Sequence, residues 1–169
     1  MASCKPTSMA LVMAAFAFSL LSDFAFAQNS PDDYLAPHND ARAEVGVEPL
    51  TWDYNLEAYA QNYANERAGD CELVHSQGPY GENLFWGSGK VYNAEDAVKL
   101  WVDEKEYYDY NSNSCQPDQM CGHYTQVVWW NTERVGCGRV QCDSGDYIIV
   151  CSYDPPGNWE GEWPYKFSS

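Results

Sequence analysis

The sequence predicts an α+β domain, because three helical repeats in its first two thirds are followed by two β-rich segments. Tyr34, Leu35, His38, Ala41, Arg42 and Val45 fall at helical spacing, and Gly46 ends the run. Leu56, Tyr59, Ala60, Tyr63, Ala64 and Ala68 repeat the pattern and stop before Gly69. The third repeat is Ala94, Ala97, Val98, Trp101 and Val102. Asn93 is its expected N-cap, and Glu95 and Asp96 lie where the helix dipole favours negative charge. Segments 135–141 and 147–153 are β-rich, and Asp143-Ser144-Gly145-Asp146 between them has hairpin chemistry. A two-residue Ser144-Gly145 loop would set Gly138 opposite Cys151, with Cys137 one residue away and within disulfide reach. From Pro155 the chain is rich in Pro, Gly and Trp, which predicts an irregular tail over 155–169.

The 169 residues give room for one domain. Lys5 precedes an apolar run from Met9 to Leu21, and Ala25-Phe26-Ala27 offers the small-x-small pattern that signal peptidase accepts. The run is shorter than the roughly 20 residues of a membrane span. The expected division is a signal peptide over 1–27 and a secreted domain over 28–169, with no stable membrane anchor. Lys5 and Asp23 leave together, so 9 basic and 25 acidic residues become 8 and 24, and the net charge stays at −16. Such a surface repels phosphates and anionic headgroups, so neither nucleic acid nor an anionic lipid surface is expected as an electrostatic partner.

Of seven cysteines, Cys4 falls in the leader. Cys71, Cys115, Cys121, Cys137, Cys142 and Cys151 remain, an even set that reads as three disulfides in an oxidising compartment. Spacing alone leaves their connectivity open. No C-x2-C pair supports a structural zinc site, and no Asn-x-Ser/Thr sequon is present.

Two segments carry a family resemblance. One is Gly122-His123-Tyr124-Thr125-Gln126-Val127-Val128-Trp129-Trp130-Asn131-Thr132, and the other is Ile148-Ile149-Val150-Cys151-Ser152-Tyr153-Asp154-Pro155-Pro156-Gly157-Asn158-Trp159. Pro37-His38-Asn39, Trp52-Asp53, the run from Ala60 to Ala64, Gly81-Glu82-Asn83 and Trp101-Val102-Asp103-Glu104 extend it over nearly all of 28–169. The chain resembles the plant pathogenesis-related proteins of family 1, in the CAP superfamily. The resemblance implies a three-layer α-β-α sandwich around a central antiparallel sheet. It also implies the pairs Cys71–Cys142, Cys115–Cys121 and Cys137–Cys151.

The resemblance further implies a cleft cluster of His75, Glu82, Glu104 and His123. Glu104 follows Trp101 by three residues, which puts it on the inward side of its helix. Two imidazoles and two carboxylates can order a cleft by charge pairing, bind a divalent metal such as zinc weakly, or serve as an acid/base pair. No cofactor is required by the sequence. No H-E-x-x-H helix occurs, and Ser76 follows His75 directly, where side chains on extended backbone point apart. The expected reading is therefore a binding protein, with no catalytic residue. His38, the remaining histidine, belongs to the first helix and is expected to be a packing or hydrogen-bonding residue.

Tyr107, Tyr108 and Tyr110 lie in the loop that resembles the sterol-holding region of CAP proteins. The family also releases a C-terminal peptide from a Cys-Asn-Tyr-x-Pro-x-Gly-Asn setting. This chain departs from that setting by Ser152, by the second proline Pro156, by Glu160 and Glu162, and by an extension beyond Tyr165. The resemblance thus implies a secreted antimicrobial plant defence protein of the apoplast or vacuole, monomeric, with a sterol or similar small apolar ligand as its partner. A metal-dependent hydrolase and a peptide precursor are the alternatives.

Overall fold

The computed structural model describes residues 29–166, so the expected signal segment 1–27 and the end of the tail lie outside the described residues. In chain order the main elements are α1 (Pro31–Val45), β1 (Thr51–Trp52), α2 (Tyr54–Glu66), β2 (Gly81–Gly87), α3 (Ala94–Asp103), β3 (Tyr108–Asp109), β4 (Ser114–Cys115), α4 (Gly122–Val127), β5 (Arg134–Gln141) and β6 (Tyr147–Asp154). None of the helices among the described residues is long and apolar enough to cross a membrane.

The three expected helices form where their caps allow. Asp33 Oδ2 accepts from both Ser30 N and Ser30 Oγ at the start of α1, and Gly46 takes φ 73° at its end. Asp53 Oδ1 accepts from Asn55 N and Leu56 N at the start of α2. Asn93 and Asp96 close a reciprocal capping box on α3. Helix α2 ends at Glu66, two residues before Ala68, because Ala68 N bonds to Asn65 O and tightens the last turn.

The sheet order is β1-β5-β6-β2. Ile149, Cys151 and Tyr153 of β6 join a core with Tyr34, Ala41, Ala97, Trp101, Tyr124 and Val127, from α1, α3 and α4. Ile148 and Val150 join a second core with Ala60 and Ala64 of α2. Alternate residues of one strand therefore face different helical layers, which is the three-layer sandwich. It also explains why β6 is apolar without alternation. On the α2 side the approach is very close. A Cβ at Gly136 would lie 2.1 Å from Glu57 N, and one at Gly138 would lie 2.3 Å from Gln61 Cα. Both glycines are needed for α2 to lie directly on β5.

All three implied disulfides are present, and the last links directly opposed residues of β5 and β6. This corrects the expected hairpin register. Cys142 N bonds to Asp146 O, so the loop holds three residues, with Gly145 at φ 90°. One extra loop residue moves Cys151 from Gly138 to Cys137. The sheet is antiparallel except at its edge, where the two residues of β1 pair with β5 in parallel. Neither β2 nor α4 was expected as an element. The tail is irregular, as expected, but it is anchored. Trp130 N bonds to Pro164 O at 2.7 Å, and Tyr165 is buried against Tyr108 and Tyr110.

His38 is fully buried, and its Nδ1–H donates to Tyr34 O at 2.7 Å. Its Nε2 therefore accepts from the Tyr153 hydroxyl at 2.8 Å, which fixes the neutral tautomer. Burial is the main force that pushes the ring down to about 4. Above the ordinary imidazole value both folded and unfolded rings are neutral, and pH has no leverage on this group. Below about 6.5 the unfolded chain takes up a proton that the folded chain refuses until about 4. This group should therefore remove about 3 kcal/mol of stability across that window. Urea unfolding at several pH values should show the loss, and His38→Gln should reduce the slope. An unchanged slope in the variant would assign the acid sensitivity to other groups.

Candidate functional site

Glu82 lies on β2, opposite Ser152, with a side chain only 6% exposed beside the 54% exposed His75. His75 Nδ1 donates to Glu82 Oε1 at 2.7 Å, and Ser76 N donates to the same oxygen at 2.9 Å. Burial by itself would raise the Glu82 carboxyl, but these donors outweigh it and hold the group below its usual range. The same bond raises His75 above an ordinary imidazole, with burial opposing. The segment that carries His75 is pinned to α2, since Tyr63 Oη donates to Val74 O and Tyr59 Oη to Ser76 Oγ.

Glu104 is not within its helix as expected: α3 ends at Asp103, and Glu104 opens a 3₁₀ turn, Glu104–Tyr107, with its side chain still buried. Its Oε1 accepts from His123 Nδ1 at 2.6 Å, while Oε2 accepts from His123 N at 3.0 Å and Tyr124 N at 3.3 Å. Cys121 gives α4 no side-chain cap, so Glu104 caps that helix from another element. Trp101, which donates to Leu84 O, stacks on His123 with ring centroids 6.3 Å apart.

The four expected residues thus form two His–carboxylate pairs, with no direct hydrogen bond between the pairs. Asn83 connects their surroundings. Its Nδ2 donates to His123 O and to the Tyr153 hydroxyl, each at 3.1 Å, which continues the network to His38. A polar hollow of about 290 Å3 opens beside His75, Ser76, Tyr80, Glu82, Gln126 and Asn158, but His123 and Glu104 do not line it. Among the described residues, no group of three or more His, Cys, Asp or Glu side chains is placed to hold a metal ion. Each imidazole nevertheless bonds its carboxylate through Nδ1 and directs Nε2 elsewhere, an arrangement that can orient a histidine toward a metal.

A second site lies between the Cys115–Cys121 loop, α4 and the tail. It is a groove of about 360 Å3 walled by Tyr108, Trp129, Trp159, Pro164 and the disulfide itself, with Glu160 and Glu162 of the tail also on its lining. Of the three tyrosines expected at a sterol loop, only Tyr108 lines this groove. Tyr110 stacks on Tyr165 at 5.2 Å behind it, and Tyr107 is half-buried at the end of the 3₁₀ turn. Sequence reasoning missed Asn83 and Gln126, whose amide ties α4 to Thr132 and to Gly157 of the tail. Gly81 and Gly87 around Leu84-Phe85-Trp86 were the available signal for a strand with Asn83 and Glu82 on opposite faces.

A three-layer domain stapled by three disulfides, with paired histidines beside an aromatic groove, defines a small protein of oxidising compartments. Residues 35–153 match the family model CAP, the cysteine-rich secretory protein family. The chain is 60% identical over 158 residues to pathogenesis-related protein 1A of Nicotiana tabacum, covering 94% of each. It is 60% identical over 139 residues to pathogenesis-related leaf protein 4 of Solanum lycopersicum, covering 82% of this chain and 86% of that protein. The crystal structure of NaASP2 with Zn2+ is similar at 25% identity and TM-score 0.68, covering 85% of this chain and 90% of that one. The chain belongs to the CAP family, in its plant pathogenesis-related branch of family 1. It is a plant defence protein of a family whose relatives are named for pathogenesis and not for an enzymatic reaction.

Proposed function

We propose that the protein is secreted and acts against microbes as a monomer, by holding a sterol in the groove between the Cys115–Cys121 loop and the tail. The observation that carries this reading is the aromatic and proline wall of that groove, Tyr108, Trp129, Trp159 and Pro164, at a volume near the lower end for small-molecule sites. Its function is binding and not turnover, because Ser76 Oγ accepts from Tyr59 Oη and from Gly78 N instead of pairing with an imidazole. The tail belongs to this domain and is not a peptide for release, since Pro164 and Tyr165 are buried. Zinc is an accessory ligand, taken weakly through Nε2 of His75 or His123, and the NaASP2 structure with Zn2+ supports that assignment.

Titration of a radiolabelled sterol, alongside zinc calorimetry, separates the two sites. Tyr108→Ala should weaken sterol binding about tenfold and leave zinc unchanged. His123→Ala should weaken zinc and leave sterol binding within about threefold. Equal loss of both ligands in either variant would mean one shared site and would overturn the reading.

A further inference from the structure

The tail contains the run Trp159-Glu160-Gly161-Glu162-Trp163, which folds as a tight turn. Glu162 N donates to Trp159 O at 3.0 Å, and Gly161 takes φ 79°, a conformation that favours glycine. Both tryptophans of the turn are open to solvent, at 59% and 42% exposure. Their polar edges are already engaged, because Trp159 Nε1 donates to Pro156 O at 3.0 Å and Trp163 Nε1 to Tyr110 O at 2.9 Å. Each ring is therefore anchored by one edge. Among the described residues neither ring stacks on another aromatic ring or lies under a cation. Glu160 and Glu162 are exposed, and their carboxylates form no ion pair or hydrogen bond among the described residues.

Two anchored indoles and two free carboxylates on one short turn specify a ligand chemistry. An indole face attracts cations, and a planar guanidinium suits it best because it can stack while its N–H groups reach a carboxylate. Prior anchoring lowers the ordering cost of binding. The net charge of −16 would attract a basic partner from a distance and repel an acidic one. We propose that the 159–163 turn is a docking element for an arginine-bearing basic segment of a partner protein. Trp159, Glu160 and Glu162 also line the groove proposed for the sterol, so the two ligands would share that wall. The carboxylates add nothing to the capture of an apolar ligand, and their loss reports on the basic partner alone.

Calorimetric titration with an amidated hexa-arginine peptide, at low and at near-physiological salt, tests it. The Glu160→Gln/Glu162→Gln variant should bind about five- to tenfold more weakly than the parent, and Trp159→Ala/Trp163→Ala should lose a similar factor. Asp32→Asn/Glu95→Gln removes the same charge from the acidic hollow between α1 and α3, and it should stay within about twofold of the parent. The Glu→Gln variant alters only exposed side chains, so an unchanged melting temperature will certify its fold. Equal weakening in the control would assign binding to the overall charge and overturn the proposal. A neutral glucose hexasaccharide serves as a second probe. If it binds the parent, loses affinity in the tryptophan variant and ignores the glutamate variant, the turn is a carbohydrate platform and the basic partner is wrong.

Discussion

Arg42→Ala is expected to destabilise the fold by about 3–5 kcal/mol, a large share of the stability of a single domain. Arg42 is fully buried in α1, yet no carboxylate pairs with it among the described residues. It donates instead to four backbone carbonyls: Glu48 O at 2.7 Å, Val127 O at 3.0 Å, Trp129 O at 2.9 Å and Thr132 O at 2.8 Å. Burial is the main force that pulls the guanidinium down to about 10, so it remains charged at neutral pH. Three of the acceptors lie at the end of α4 or in the segment beyond it, where a cation suits the helix terminus. Alanine would leave a cavity and several carbonyls without donors. Arg42→Lys should also lose stability, because an ammonium cannot span acceptors arranged for a planar fork. Thermal melts of both variants provide the measurement. An alanine variant that melts within about 5 °C of the parent would mean that water replaces the guanidinium at little cost.

The second large effect is expected at Cys71–Cys142. Its cysteines are 71 residues apart in sequence, against 6 for Cys115–Cys121. Chain-entropy arithmetic gives about 4 kcal/mol for the first link and about 2 for the second. Packing works in the same direction. Cys71 and Cys142 are both buried in the core with Ala60, Ala64, Leu84, Ile148 and Val150, whereas Cys115 is exposed. The Cys71→Ala/Cys142→Ala variant should therefore melt well below the parent, and below Cys115→Ala/Cys121→Ala. The reverse order would show that the short loop matters through its packing against α4 and the tail, and not through loop entropy.

Those two predictions draw on different kinds of information. Six cysteines and the family resemblance were enough to expect Cys71–Cys142. Nothing in the sequence marked Arg42 as a buried cation, because it was simply one more position on a helical stripe. Its role depends on carbonyls more than 80 residues further along the chain. The hairpin shows the same division at smaller scale. Turn composition placed it correctly, but three loop residues and not two set the register, and only the folded backbone reveals that Gly145 supplies the left-handed position.

What the sequence by itself determined was local: three helical periods, the Asn93 cap, a β-rich hairpin, an even cysteine set and a strongly acidic balance. These follow from side-chain spacing and covalent chemistry within a few residues. The α-β-α layering and the individual cleft residues came from motif resemblance. The tertiary structure decided which groups meet. It split the two histidines and two glutamates into separate pairs, gave Glu104 the task of capping α4, and seated Pro164 and Tyr165 under the surface. It also laid α2 directly on Gly136 and Gly138. The physical reason is that a buried hydrogen bond or a close approach is settled by whichever groups the packed layers leave without water. That choice depends on the whole chain at once, and no short window of residues contains it.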